Sequence, residues 1–251
     1  EINIGDWSSD VCSSDLELRG LPVVIGGGRD AAPLTLEDGS RRFARLRDYA
    51  GRGVVATSTY EARALGVFSA MGMMKAAKLA PDAILLPGDF DAYRHYSRRF
   101  KAAVAALAPQ IEDRGVDEIY IDLSAIDEES DVLAERLRRA VRTATGLSCS
   151  IGISPNKTLS KIASDLNKPN GNTILTAEEL PLRIWPLPVG KINGIGPKAQ
   201  EKLHQHGVRT IGDLAATPVE QLTSLFGPAT RGGPAQLDRF SVFISDISAG
   251  F

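Results

Sequence analysis

Gly115-Val116-Asp117-Glu118-Ile119-Tyr120-Ile121-Asp122-Leu123-Ser124 is the stretch on which the reading of this chain turns. From Ile119 it is a β-branched and aromatic run, the pattern of a strand. Two adjacent carboxylates, Asp117 and Glu118, open it, although both residue types are depleted from strand interiors. In a regular strand they would point to opposite faces. A turn at Gly115 would let both reach one cation. Hard oxygen ligands with room left for waters and phosphates are what a Mg²⁺ site for phosphoryl transfer needs. The other reading is a pair of solvated acids at a strand end, and the segment alone does not separate the two.

Working outward, residues 83–86 read as a short strand. Residues 90–107 read as an amphipathic helix with Arg94, Arg98, Arg99 and Lys101 on its wet side. Downstream come a charged helix at about 128–144 and a strand at 148–154. Ser154-Pro155-Asn156 then opens a helix over 157–167. Further upstream, 21–25 and 54–59 are strand patterns, and 61–65 and 71–79 are helical. The Arg-rich stretch 29–53 reads as loop and short helix. The segment 1–16 repeats Ser-Ser-Asp. It reads as foreign sequence and is expected not to pair as a strand. Pro169 to Gly171 forms a boundary, after which the chain reads as short helices and Gly/Pro turns. The fold class is α+β.

The 251 residues are 43% hydrophobic, enough for a core, and carry a formal charge of −2. That charge does not advertise nucleic acid, but a basic groove can coexist with acidic surfaces. Cys12 and Cys149 lack metal spacing and read as free thiols of a reducing compartment. No apolar run approaches the ~20 residues of a membrane span, and the N-terminus lacks a signal-peptide layout. A soluble, cytoplasmic protein is expected.

Gly190-Lys191-Ile192-Asn193-Gly194-Ile195-Gly196-Pro197-Lys198-Ala199 precedes a helix reaching His206-Gly207, and Thr210-Ile211-Gly212-Asp213-Leu214 starts another. This resembles a helix-hairpin-helix. Gly194, Ile195 and Gly196 let backbone approach a phosphate, and Lys198 follows at the helix start. The helix N-terminus aims N–H groups at the anion. Such contacts are sequence-independent and salt-sensitive.

Together the motifs resemble Y-family, translesion DNA polymerases of the bacterial polymerase IV type. The matching segments, in family order over residues 17 to 227, are Tyr60-Glu61-Ala62-Arg63, Gly66-Val67-Phe68-Ser69-Ala70-Met71, Val116 to Ser124, Ser154-Pro155-Asn156-Lys157, Lys161-Ile162-Ala163-Ser164-Asp165 with Lys168-Pro169-Asn170-Gly171, and the hairpin. The resemblance implies a ferredoxin-like palm at 83–167, fingers at 17–82 and an all-α helix-hairpin-helix thumb at 168–230. Residues 1–16 and 231–251 do not resemble the family. Asp117 matches the family's metal-binding aspartate and Glu118 its catalytic, metal-holding glutamate. Tyr60, Arg63 and Lys157 match positions on the nucleotide triphosphate, and Thr57 adds a phosphate contact. Mg²⁺, primer-template DNA and deoxynucleoside triphosphates are implied. A sliding clamp reached through regions absent here, and a monomeric state, are implied too.

Two departures accompany the resemblance. The family's first strand carries Asp-x-Asp and an aromatic gate. By spacing, its first aspartate would fall near Ile2 and the gate near Trp7, and neither Asp6 nor Asp10 sits in a matching context. Residues 231–251 do not resemble the family's C-terminal little finger, which is expected to be missing. An impaired polymerase is expected; the alternative is a non-catalytic DNA-binding fragment that keeps the thumb.

Overall fold

Alternation along the acidic segment does build a strand, and its neighbours define the architecture. The computed structural model describes residues 2–5, 16–27 and 31–227. In chain order these form β1 (Ile2–Gly5), β2 (Val23–Gly26), β3 (Leu34–Thr35), β4 (Arg41–Arg42), β5 (Ala44–Arg45), β6 (Val55–Ser58), α1 (Tyr60–Ala64), α2 (Met73–Leu79), β7 (Ile84–Leu86), α3 (Phe90–Ala105), β8 (Ile111–Asp113) and β9 (Ile119–Ile121). There follow α4 (Ser130–Thr145), β10 (Ser150–Ile153), α5 (Lys157–Leu166), β11 (Asn172–Ile174), α6 (Leu180–Arg183), α7 (Pro197–Gln205), α8 (Ile211–Ala216) and α9 (Val219–Phe226).

The first sheet has the order β11-β10-β1-β9-β8. Its centre overturns one expectation: part of the segment set aside as foreign is the central strand. Ile2 pairs with Ile121 on one side and Ile153 on the other, and Ile4 pairs with Ile119 and Ile151, all antiparallel. Without β1, facing edges of β9 and β10 would carry unpaired backbone groups. Ile2-Asn3-Ile4 supplies the short β-branched alternation the slot accepts. The expected first-aspartate position, Ile2, lies within β1, whereas the expected gate position, Trp7, together with Asp6, Asp10, Cys12 and the 231–251 tail, lies outside the described residues.

One face of this sheet is covered by α3 and α4. Phe100 and Val104 of α3 and Leu133, Leu137 and Val141 of α4 pack with Ile119, Ile121, Ile151 and Ile153 in one core. Both helices read cleanly from their apolar spacing. Asp89 caps α3 by accepting from the Ala92 N–H at 2.9 Å, and Gly146, at φ +76°, ends α4. The opposite face is covered by α5. A Cβ built on Gly152 would stand 2.1 Å from the Ser160 carbonyl oxygen and 2.3 Å from the Ser164 nitrogen. Buried Ser160 and Ser164 turn their hydroxyls back to the Lys157 and Lys161 carbonyls, at 2.9 Å each. Small side chains with satisfied hydroxyls let the helix approach the strand closely.

After α5 the chain enters β11, parallel to β10. The 168–171 boundary is thus a crossover within the sheet. The 83–86 strand likewise belongs elsewhere: β7 runs parallel to β2 and antiparallel to β5, in a second sheet of order β5-β7-β2-β6. Its core joins Val24, Leu46, Val55, Met73 and Leu85. The helices beyond 177 have no separate core; Leu159, Ile162 and Ala163 of α5 pack with Ile192, Ile195, Leu203 and Ile211. Cys149 is buried in the core of the first sheet. Among the described residues, no helix is long and apolar enough to cross a membrane.

Leu137, fully buried between helix and sheet, should be costly to truncate. Leu137→Ala is expected to destabilise by about 2–5 kcal/mol. Leu182→Ala, at a side chain position 82% exposed, should stay within about 0.5 kcal/mol. Urea unfolding of the two variants checks this, and equal losses would contradict the packing.

Candidate active site and hairpin

Asp117 and Glu118 lie where β8 turns into β9. Asp113 pairs with Ile119, and the Arg114 N–H donates to the Glu118 carbonyl at 3.1 Å, which closes a hairpin around residues 115–117. Asp117 is in the loop and Glu118 at the strand end, and both are half-buried. The chain therefore leaves strand geometry where a shared cation would require it.

The loop is tied down by a residue assigned to solvent. Lys101 of α3 donates to Asp113 Oδ2 and to the Gly115 carbonyl, at 2.7 Å each. The Gly115 N–H donates to Asp113 Oδ1 at 3.0 Å. Asp113 is held below the usual carboxylate range, first by the Lys101 bond, with burial opposing. Lys101 is thus half-buried hardware of the acidic turn rather than part of the wet stripe.

α5 places its charges along the same face as Glu118. Residues 157, 161 and 165 are one helical row. Lys161 Nζ bonds Glu118 Oε1 and lies 3.8 Å from Asp165 Oδ1, and Lys168 bonds Asp165 at 2.7 Å. The Glu118 side chain is 30% exposed and that of Lys161 16%. Burial works against the Lys161 charge, yet Asp165 and Glu118 outweigh it and its pKa is raised. Lys157 behaves differently. It bonds Glu112 Oε2 at 2.5 Å and stands 6.0 Å from the Tyr120 ring centre, beside a cleft of about 400 Å³ that also includes Asp122. α5 runs back along the sheet from the Asp122 level toward the Glu118 level. The cation on Glu118 is therefore Lys161, one turn beyond Lys157. The sequence carries Lys161 in the segment Lys161-Ile162-Ala163-Ser164-Asp165, but nothing in it distinguishes the two lysines.

Tyr60, Arg63 and Thr57 form another group, on the second sheet. Arg63 Nε donates to the Ser58 carbonyl at 3.1 Å, and its guanidinium stands 5.0 Å from the Tyr60 ring centre. Thr57 is buried in β6 opposite Ile25.

In the hairpin, Ile192 and Ile195 are buried while Asn193, Gly194, Gly196 and Lys198 are exposed. Gly194 takes φ +99°, and nothing lies within 4 Å of a Cβ built on Gly194 or Gly196. α7 starts at Pro197, a favoured first position. α8 is fixed by a capping box between Thr210 and Asp213. Asp213 is held low first by the Thr210 N–H and then by that of Arg209.

Residues 9–165 match the impB/mucB/samB family, and residues 177–208 match the helix-hairpin-helix motif of the same family. The chain belongs to the impB/mucB/samB family. Its relatives include a DNA polymerase IV of Alkalilimnicola ehrlichii, 38% identical over 217 residues, covering 85% of this chain and 56% of the relative. A DNA polymerase IV of Methanoculleus marisnigri is 39% identical over 215 residues, 85% of this chain and 55% of that one. The chain spans about half the length of these curated relatives. Among solved structures, DinB from Sulfolobus solfataricus superposes with a TM-score of 0.74 at 24% identity, covering 98% of this chain and 67% of that one. A Y-family DNA polymerase chimera of Dbh and Dpo4 gives 0.76 at 24% identity, with 98% and 68% covered. The resemblance to Y-family polymerases read from the sequence is thereby shown, and the fold is α+β as expected.

The family implies a divalent metal, and the acidic turn fits one. Among the described residues there is no group of three or more His, Cys, Asp or Glu able to hold a metal alone. Two half-buried carboxylates at a turn suit a hard cation that completes its shell with waters and phosphates.

The Lys157–Glu112 pair yields a pH test. Glu112 is held below its ordinary value, first by the Lys157 hydrogen bond, with burial opposing. A depressed folded value means stabilisation present above the unfolded pKa and lost as pH falls through the folded one. The two side chains are 47% and 46% exposed, so the pair is worth less than about 1 kcal/mol. Glu112→Gln should lower stability at neutral pH by that small amount, leave it unchanged in acid, and so flatten the acid decline. Urea midpoints taken between about pH 6 and pH 3 measure it; an unaltered decline would show the pair contributes nothing.

Proposed function

We propose that this chain carries the polymerising part of a template-directed, translesion DNA polymerase, with the palm on the sheet β11-β10-β1-β9-β8, the fingers on the sheet β5-β7-β2-β6 and the thumb in the hairpin helices that follow β11. One observation supports this above others: Asp117 and Glu118 lie side by side and half-buried at a turn of the sheet, in a family whose curated relatives are named DNA polymerase IV. Primer-template DNA and deoxynucleoside triphosphates are the substrates. A sliding clamp and a monomeric state remain part of the same proposal.

Asp117 and Glu118 would hold Mg²⁺, which when bound neutralises phosphate charge and lowers the pKa of a coordinated hydroxyl. The chain's own residues supply positioning. Arg63, oriented by the Ser58 carbonyl and the Tyr60 ring, is prepared for the triphosphate, since a fixed guanidinium loses little freedom on binding. The hairpin amides near Gly194 and Gly196 grip DNA phosphates without reading sequence. Lys157, on its Glu112 cleft, carries less of this reading than Arg63.

Impairment is proposed on the register of β1. Ile4 is level with Ile119, so the Gly5 end of β1, not Ile2, adjoins Glu118. Ile2–Gly5 brings no carboxylate. Primer extension with Mg²⁺ should be near background. Replacing residues 2–10 by a family-type Asp-x-Asp-x-aromatic strand, with a little finger added after Gly227, should raise it. Glu118→Ala in that repaired protein should lower extension by about 100-fold or more and leave DNA binding largely intact. Rapid extension by the unrepaired chain contradicts the impairment; extension indifferent to Glu118 contradicts the polymerase reading.

Nucleotide binding separates the arginines. Arg63→Glu should weaken triphosphate affinity about tenfold or more, a loss of some 1.4 kcal/mol. Arg98→Glu, on the exposed face of α3, should change it little. Equal effects in a fluorescence titration would remove Arg63 from the site.

A further inference from the structure

We propose that Lys161 is a positioning residue shared between Glu118 and a DNA phosphate held at the hairpin, so that DNA binding releases Glu118 to a divalent cation. The inference rests on the reading of Glu118 as a metal carboxylate. Lys161 bonds Glu118 on one side. On the other it lines a cavity of about 420 Å³ whose remaining wall is Asp165 and the hairpin 190–196. The cavity thus joins one largely buried ammonium to the backbone of Gly194 and Gly196, where no Cβ obstructs approach.

The charges explain why the two ligands should cooperate. An ammonium has three N–H donors and no acceptor. In the observed arrangement it neutralises Glu118, so a cation arriving there must displace Lys161. A phosphodiester on the hairpin amides would sit at the cavity and compete with Glu118 for the same ammonium. The phosphate takes Lys161 and the cation takes Glu118, so each binding step removes the obstacle to the other. Asp165 keeps the lysine in place in either arrangement, since it lies 3.8 Å from Nζ and is itself bonded to Lys168. The core shared by α5 and the hairpin fixes the separation, so the lysine moves by rotamer and not with its helix. By linkage, the factor by which DNA tightens metal binding equals the factor by which metal tightens DNA binding.

Mn²⁺ titrations read by water proton relaxation, with and without a short primer-template duplex, test the proposal. In the chain as it stands, duplex should tighten Mn²⁺ binding about fivefold, the scale of one modest ion pair. Lys161→Met should bind Mn²⁺ about fivefold tighter without duplex and show no further gain with it. Lys161→Arg should keep the gain. Glu118→Gln should lose Mn²⁺ binding and, with Lys161 released, bind duplex about threefold tighter. If Glu118→Gln binds Mn²⁺ like the parent, the metal reading fails. If Glu118→Gln loses Mn²⁺ while Lys161→Met retains the parent's duplex-induced gain, the metal reading stands and the proposal is overturned. Should Lys161→Met not fold, as judged by circular dichroism, the duplex affinity of Glu118→Gln decides: no tightening overturns the proposal.

Discussion

Everything that gives this molecule a site depends on how closely α5 lies against β10. A side chain at Gly152 would collide with the helix backbone itself, at Ser160 and Ser164. Collisions with backbone are relieved only by moving the element, and overpacking of this kind costs about 1–3 kcal/mol or more. Glycine in a strand is otherwise unfavourable. Here it sets the distance between sheet and helix, and the serines opposite it complete a contact with small side chains on both sides.

From that contact the rest follows by helical geometry. With Ser160, Ala163 and Ser164 against Gly152, Leu159 and Ile162 turn toward the hairpin helices and join their core, which Ala163 also borders. The row 157, 161 and 165 is left facing the acidic edge of the sheet. A single ten-residue helix therefore faces three surroundings: sheet, hairpin and acids. This explains why the hairpin needs no core of its own, and why the lysine on Glu118 also borders the hairpin cavity.

Much of this was legible in the sequence. Apolar spacing located α3 and α4 because each buries a regular stripe, and Asn156 announced α5 because its side chain caps it, accepting from the Leu159 N–H at 2.9 Å. The Gly194-Ile195-Gly196 pattern identified the hairpin because buried Ile192 and Ile195 alternate with exposed backbone. What was missed has a physical cause in each case. β1 is only four residues long and its alternation was hidden beside Ser-Ser-Asp repeats; sequence does not show that two partner strands await it. β7 looked like the start of the next unit, since parallel pairing with β2 leaves no local signal. Lys157 and Lys161 occupy the same helical row, and only the antiparallel course of α5 over β9 tells which one meets Glu118. Lys101 falls on a polar stripe, and its role depends on a hairpin loop twelve or more residues away.

Native-state amide hydrogen exchange on the parent chain and on Gly152→Ala is the most direct measurement of whether the helix unites the two functional regions. If α5 is fixed at Gly152 and the hairpin is fixed on α5, the amides of Ile162, Ala163, Leu203 and Ile211 lose protection together in the variant, while those of Leu137 and Val141 in α4 lose less. Protection of Ile162 and Ala163 that survives the substitution, or a hairpin that keeps its protection when α5 loses its own, would contradict the account.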